Sequence, residues 1–207
     1  VLAGVASGET RFAGLGGDDD LQAVRDAMAA FGALVREKDG DLAVAGLGNG
    51  CLLEPEAPID PGGDTVAALL IAGLAGAYHM QTKLACGAEL AADALAGVLE
   101  PLRRMGVQTE TDQGDAGLVT FHGPRTTNPV VWHPPAAPAA AKAAILLAAL
   151  NAPGVTTVIG GDPLDDGVIG LFRAFGAEVT AAADADGSQR VGIAGQGLLA
   201  GRPIEFV

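Results

Sequence analysis

One signal occurs three times in this chain: "AMAAFGALV" (Ala27–Val35), "PLRRMGVQT" (Pro101–Thr109) and "LFRAFGAEV" (Leu171–Val179). Each ends a helical pattern on an aromatic residue or Met, then Gly, then a small apolar residue and an extended stretch. The glycine suits a helix C-terminus, where a left-handed residue turns the chain into a strand. A short extended segment precedes each helix ("GETRFAGL", "MQTKLACG", "GVTTVIGG") and a hairpin follows it. Asp39-Gly40 and Asp186-Gly187 are the tight turns of the first and third hairpins, and the middle hairpin has a looser, glycine-containing turn. A repeat of this length makes the unit, not the residue, the element of the fold.

Each unit is led by an apolar, alanine-rich helix. "DTVAALLIAGLAG" leads the second and "PAAAKAAILLAAL" the third, whereas the first has the stub "VLAGVASG". Helices apolar nearly all round belong inside a domain. The expected fold is therefore α+β, with βαββ-type units in pseudo-threefold array, sheets outside and apolar helices central. The expected units are about 1–57, 58–128 and 129–207 of a single domain.

Composition removes several functions. The 207 residues are 49% hydrophobic but only 4% aromatic, so the core is made of small and branched side chains. Twelve Lys and Arg against 25 Asp and Glu leave a net charge of −13, which opposes nucleic acid and anionic membranes as partners. The apolar run of residues 136–150, broken by Pro138 and Lys142, is too short to span a bilayer, and so is Thr65–Tyr78. The first residues do not have the pattern of a signal peptide, and Cys51 and Cys86 form neither a disulfide framework nor a zinc motif; a cytoplasmic location is expected.

The lone chemistry-bearing residues read as structural. Lys142 is expected to carry its charge to water from one edge of a buried helix. The acids of "GGDDDL" (Gly16–Leu21) and "LDD" (Leu164–Asp166) are expected to cap helices rather than bind metal. His79, His122 and His133 have no ligand spacing. Neither cysteine has a neighbouring base, and "GLGNG" (Gly46–Gly50) lacks the ending of a P-loop and links the first two units.

The segments "ASGETRFAGL", "GNGCLLEPEAPIDPGG", "GVLEPLRRMGVQTE", "AAILLAALNAPGVTTVI" and "FRAFGAEVTAAADADG" resemble the EPSP synthase family of enolpyruvyl transferases along the whole chain. The resemblance implies three βαβαββ units forming one of two similar domains, with an active site in the cleft between them. On this reading the chain starts inside the first lead helix and stops, at "GRPIEFV", where the family crosses to its other domain. The implied reaction belongs to the shikimate pathway. It transfers enolpyruvyl from phosphoenolpyruvate to shikimate 3-phosphate, two anions that call for Arg and Lys forks. No cofactor and no metal are implied.

At the positions that match the family's substrate contacts, the residues differ. The asparagine, threonine and arginine of its first glycine-rich loop fall on Gly63, Val66 and Leu69. The serine and arginine of its phosphoenolpyruvate loop fall on Glu89 and Asp93. The serine and glutamine that hold the shikimate phosphate fall on Pro138 and Ala140. The arginine and histidine of its last loop fall on Asp165 and Gly167, and only Asp166 keeps the family residue. A carboxylate where a phosphate should sit reverses the sign of the interaction. The expectation is a chain without catalytic residues and inactive alone. The alternative is one half of an active enzyme whose second domain lies elsewhere. The expected partner is such a second domain or another copy of the chain.

Overall fold

The three repeated signals fold into the same device. The structure, a computed structural model, describes residues 1–15, 21–38, 40–112, 114, 117–134 and 136–204. Helices α2 (Gln22–Ala30), α5 (Ala96–Arg104) and α7 (Asp166–Ala174) end on Phe31, Met105 and Phe175, all buried. The next residue in each case is a glycine near φ +100°: Gly32 (96°), Gly106 (101°) and Gly176 (100°). The residue after it donates back five positions, Ala33 to Met28 (2.9 Å), Val107 to Leu102 (3.0 Å) and Ala177 to Phe172 (3.0 Å). These are three Schellman ends, in which a left-handed residue satisfies the last helical carbonyls and aims the chain into a strand.

Three sheets repeat around the domain. In the first, β1 (Ser7–Phe12) pairs antiparallel with β3 (Asp41–Leu47), which pairs with β2 (Leu34–Lys38). In the second, β4 (Gln81–Ala85), β6 (Leu118–His122) and β5 (Gln108–Thr111) have the same arrangement, and Ile59 bridges parallel to Leu84. In the third, β7 (Val131–Trp132) lies parallel to β8 (Val155–Ile159), followed by β10 (Gln189–Ala194) and β9 (Glu178–Ala183). The parallel edge of the first sheet is β11 (Pro203–Ile204), from the far end of the chain. The last strand thus belongs to the first sheet, a closure that local sequence signals do not report. The Asp39 part of the first expected turn and the acids at 18–20 lie outside the described residues; the third hairpin turns through Gly187 (φ 83°) as expected.

Helices α3 (Thr65–Ala77) and α6 (Ala139–Ala149) fill the centre, buried over nearly their whole length, and α1 (Leu2–Val5) contributes a single turn beside them. α3 and α6 touch through backbone: a Cβ on Gly73 would lie 2.9 Å from both Cα and C of Ala144 and would overlap its carbonyl oxygen. The same economy joins each sheet to its lead helix. Gly46, Gly123 and Gly195, at or just after the ends of β3, β6 and β10, lie against carbonyls at the ends of α1 (Ala3, Ala6), α3 (Tyr78) and α6 (Ala149, Ala152). Asn151 Nδ2 and Thr127 Oγ1 each donate to Ala77 O (3.1 Å), and Asn49 Nδ2 donates to Leu150 O (2.7 Å). These bonds occupy carbonyls that a helix C-terminus leaves unpaired. "GLGNG" therefore serves as a helix clasp, with Tyr78 donating to Asn49 Oδ1 (3.3 Å).

Each sheet also carries a fully buried threonine on its first central strand: Thr10, Thr82 and Thr156. Thr156 Oγ1 accepts from Val130 N (3.3 Å), whereas Thr10 Oγ1 and Thr82 Oγ1 have no partner among the described residues. A buried hydroxyl without a partner costs the desolvation of that group. Thr10→Val and Thr82→Val should therefore each raise stability by about 1 kcal/mol. Thr156→Val, which orphans the Val130 amide, should lower it; urea unfolding of the three variants measures all three signs.

Candidate functional site

The N-terminal ends of α3 and α6 lie together, and the positions expected to bind substrate divide around them. Val66 and Ala140 line one groove of about 460 Å³, with Leu70 and Ala143 behind them and Phe172 and Phe175 of α7 along one side. Gly63, Glu89 and Asp93 line a separate cleft of about 780 Å³ with Thr65, Cys86 and Gly87. Leu69 reaches neither: it is 1% exposed and packed in the core, so its place in a site is not realised. Pro138, Asp165 and Asp166 line neither cavity; Pro138 is the exposed N-cap of α6, and Asp165 and Asp166 are exposed at the start of α7.

Electrostatics at these helix ends oppose an anion. The start of a helix attracts negative charge through its free N–H groups. At α3 the Asp64 carboxylate already accepts from Val66 N (2.7 Å), and at α7 the Asp165 carboxylate accepts from Val168 N (2.8 Å). Asp165 is thus the cap its sequence context predicts. Asp64 is a cap the sequence reading misses, although an acid directly before "TVAALL" is the same capping signal. The helix between the cleft and Pro101 is interrupted: α4 (Ala88–Leu90) passes through a π-turn (Ala91–Leu95) into α5. This widened turn sets Asp93 on the cleft wall, exposed.

Among the described residues no Lys, Arg or His side chain lines either cavity. Several arginines serve the framework instead. Arg25 donates to Leu15 O (2.7 Å) and pairs with Glu37 (3.1 Å). Arg104 donates to Val131 O (2.9 Å), Arg173 to Val179 O (3.1 Å), and Arg190 makes a two-armed contact with Asp184 at 2.9 Å. His79 Nδ1 lies 3.3 Å from Gly123 O, and His122 lies 3.8 Å from Glu110. Among the described residues no group of three His, Cys, Asp or Glu gathers as a metal site, and Cys51 and Cys86 are free thiols.

Lys142 departs from expectation. It does not reach water: the residue is 0% exposed. Its Nζ donates to Gln189 Oε1 (3.1 Å), which also accepts from Leu164 N (2.8 Å), while Gln189 Nε2 donates to Leu164 O (2.8 Å). The side chain therefore turns away from the groove and braces α6 against β10 and the loop before α7. A helix enclosed by sheet has no edge from which a lysine can emerge. Gln189 is 47 residues away, and nothing in the sequence near Lys142 points to it. Burial lowers the lysine's pKa from 10.5, with Asp162 pulling the other way.

Comparison with known proteins gives these features a family. The family model for EPSP synthase (3-phosphoshikimate 1-carboxyvinyltransferase) matches residues 1–202. A 3-phosphoshikimate 1-carboxyvinyltransferase of Brucella canis is 45% identical over 206 residues, covering 99% of this chain and 46% of the relative. One from Pseudomonas sp. strain PG2982 is 44% identical over the same share. An EPSP synthase structure from Acinetobacter baumannii superposes with a TM-score of 0.85 at 26% identity, over 99% of this chain and 45% of its own. The enolpyruvyl transferase NikO of Streptomyces tendae shares the fold (TM-score 0.68, 16% identity, 99% of this chain and 47% of its own). The chain spans about half the length of the curated relatives it matches.

Lys142→Met removes a buried charge while Gln189 keeps both bonds to Leu164. It should raise stability near pH 7 by about 1 kcal/mol, as replacing buried charges by apolar isosteres does. Because the folded pKa is lowered, the folded chain binds fewer protons than the unfolded one between that value and 10.5. The unsubstituted protein therefore gains stability as pH rises through this window, and the advantage of Lys142→Met should shrink toward pH 10. Denaturant titrations of both proteins across pH 7–10 measure the difference.

Proposed function

The chain belongs to the EPSP synthase family, and on that premise we propose that it is an EPSP-synthase-type domain that does not transfer enolpyruvyl by itself. The supporting observation is the lining of the groove and of the cleft. Val66 and Ala140 line the groove and Glu89 and Asp93 the cleft, without a cationic side chain on either cavity wall among the described residues. Closing the helix starts of α3 and α7 with Asp64 and Asp165 adds fixed negative charge on the same side. Phosphate recognition needs charge-assisted donors, and removing them costs more than geometry can restore.

A second reading keeps the chain as one half of an active 3-phosphoshikimate 1-carboxyvinyltransferase. The identity of 45% to such proteins over 99% of this chain favours it. In that case the Arg and Lys forks must come from a second domain facing α3 and α6, which would be this chain's partner. Either reading goes with a cytoplasmic location, a compartment that keeps thiols such as Cys51 and Cys86 reduced. No helix among the described residues is long and apolar enough to cross a membrane.

Calorimetric titration of the 207-residue chain with shikimate 3-phosphate, with and without phosphoenolpyruvate, tests the proposal. The proposal expects no binding at ligand concentrations up to about 1 mM, that is, no affinity beyond about −4 kcal/mol. Micromolar binding of either ligand contradicts it.

A further inference from the structure

Three leucines stand exposed at one end of the first sheet: Leu53 is 59% exposed, Leu34 48% and Leu47 37%. They form one patch. A Cβ on Gly32 would lie 2.8 Å from Leu53 Cδ1 and 3.1 Å from Leu47 Cδ1, so both side chains lie over this glycine. Leu34 pairs with Ala45, two residues before Leu47 on β3, which sets Leu34 and Leu47 diagonally on one face of the sheet. Beside Leu53 the patch runs into a groove of about 580 Å³ between the second half of α2 and the segment 53–60. That volume lies within the roughly 300–1,000 Å³ of ligand clefts. Ala29, Ala30 and Gly32 form one wall, and the buried Ile59 lies on the other side. Every charged residue of the lining is an acid: Asp26, Glu54, Glu56 and Asp60, all exposed. An exposed apolar surface rimmed by polar groups marks an interaction site. None of these residues lines the other two cavities.

We propose that this groove docks a partner protein through a short segment in which leucine-like side chains alternate with lysine or arginine. The apolar side chains cover Leu53, Leu47 and Ile59, and the cations meet the acids of the rim. Charge decides the occupant. Asp26 accepts from Gln22 Nε2 (2.8 Å), Glu54 from Gln81 N (2.8 Å) and Asp60 from Gly62 N (2.8 Å), and none of these donors is a cation. Among the described residues no Lys, Arg or His pairs with any of the four acids or lines the groove. The rim therefore keeps an uncompensated negative charge, which attracts a basic segment and repels an acidic one. A second copy of the chain brings a net charge of −13 and the same sign to the contact. The wall is also held in place before anything binds. Leu53 N donates to Phe31 O (2.9 Å), Ile59 N donates to Lys83 O (2.8 Å) and Ile59 O accepts from Ala85 N (2.8 Å). Pro55 and Pro58 fix the backbone between these anchors, so docking costs little ordering of the groove. The site depends on neither reading of activity.

The probe is a fluorescently labelled peptide of about eight residues alternating Lys and Leu, titrated with the 207-residue chain and read by anisotropy. Two control peptides carry Glu in place of Lys, or Ser in place of Leu. The Lys–Leu peptide should bind with a Kd below about 100 μM, and both controls should bind at least about tenfold more weakly. Glu56→Lys should weaken the Lys–Leu peptide about tenfold. Glu178→Lys makes the same change of net charge on the third sheet and should alter the affinity by less than about twofold. Leu53→Asp should also weaken binding about tenfold, although it makes the chain more acidic; attraction by charge alone would grow stronger instead. Leu53 and Glu56 are exposed, so neither substitution disturbs the core. Equal losses for Glu56→Lys and Glu178→Lys would overturn the proposal, as would unchanged or tighter binding by Leu53→Asp, or no binding of the Lys–Leu peptide up to about 1 mM. So would a dimer of the unsubstituted chain that dissociates on Leu53→Asp, because the occupant would then be a second copy.

Discussion

The contact between Gly73 and Ala144 fixes the distance on which everything else in the domain depends. Two helices that meet backbone to backbone can be enclosed by three sheets without a large core, and this chain has few large side chains to build one. With aromatics at 4%, the core is filled mainly by Ala, Leu, Val and Ile. Small residues at the helix contact and at the strand ends bring layers close enough for such side chains to fill the space between them. Gly46, Gly123 and Gly195 repeat the solution at each sheet, which is why the threefold plan persists although its three units share little sequence outside the helix ends.

The central layer is finished differently at its two ends. At the C-terminal ends of α3 and α6, Asn49, Asn151 and Thr127 satisfy the last carbonyls, and Tyr78 is buried among them with its pKa raised to about 12 by desolvation. At the N-terminal ends, a carboxylate, Asp64, caps α3, Pro138 caps α6, and the space beyond is apolar. The framework of the family is intact here, and alanine, valine and a single aspartate line the space at this end.

Much of this is legible in the sequence. The aromatic-Gly-small signal is a local device, set by one positive φ and two backbone bonds, so it can be read from nine residues. The apolar lead helices announce their burial for the same reason. What stays hidden is non-local. β11 joins the first sheet from the opposite end of the chain, Gln189 reaches Lys142 across 47 residues, and Leu69 is drawn into the core by packing rather than by its neighbours in sequence. The division of the expected site into an apolar groove and an acidic cleft also depends on how α3 packs against α6.

Two glycine-to-alanine substitutions weigh the central contact most directly. Gly97 sits in α5 with open space where a Cβ would go, whereas a Cβ on Gly73 meets the Ala144 backbone. Measured by urea unfolding, Gly97→Ala should stabilise the chain by roughly 0.5–1 kcal/mol through helix propensity. Gly73→Ala should destabilise it by about 1–3 kcal/mol, because α3 and α6 must move apart and every sheet is registered on them. If both substitutions stabilise the protein alike, the close contact between α3 and α6 does not set the fold.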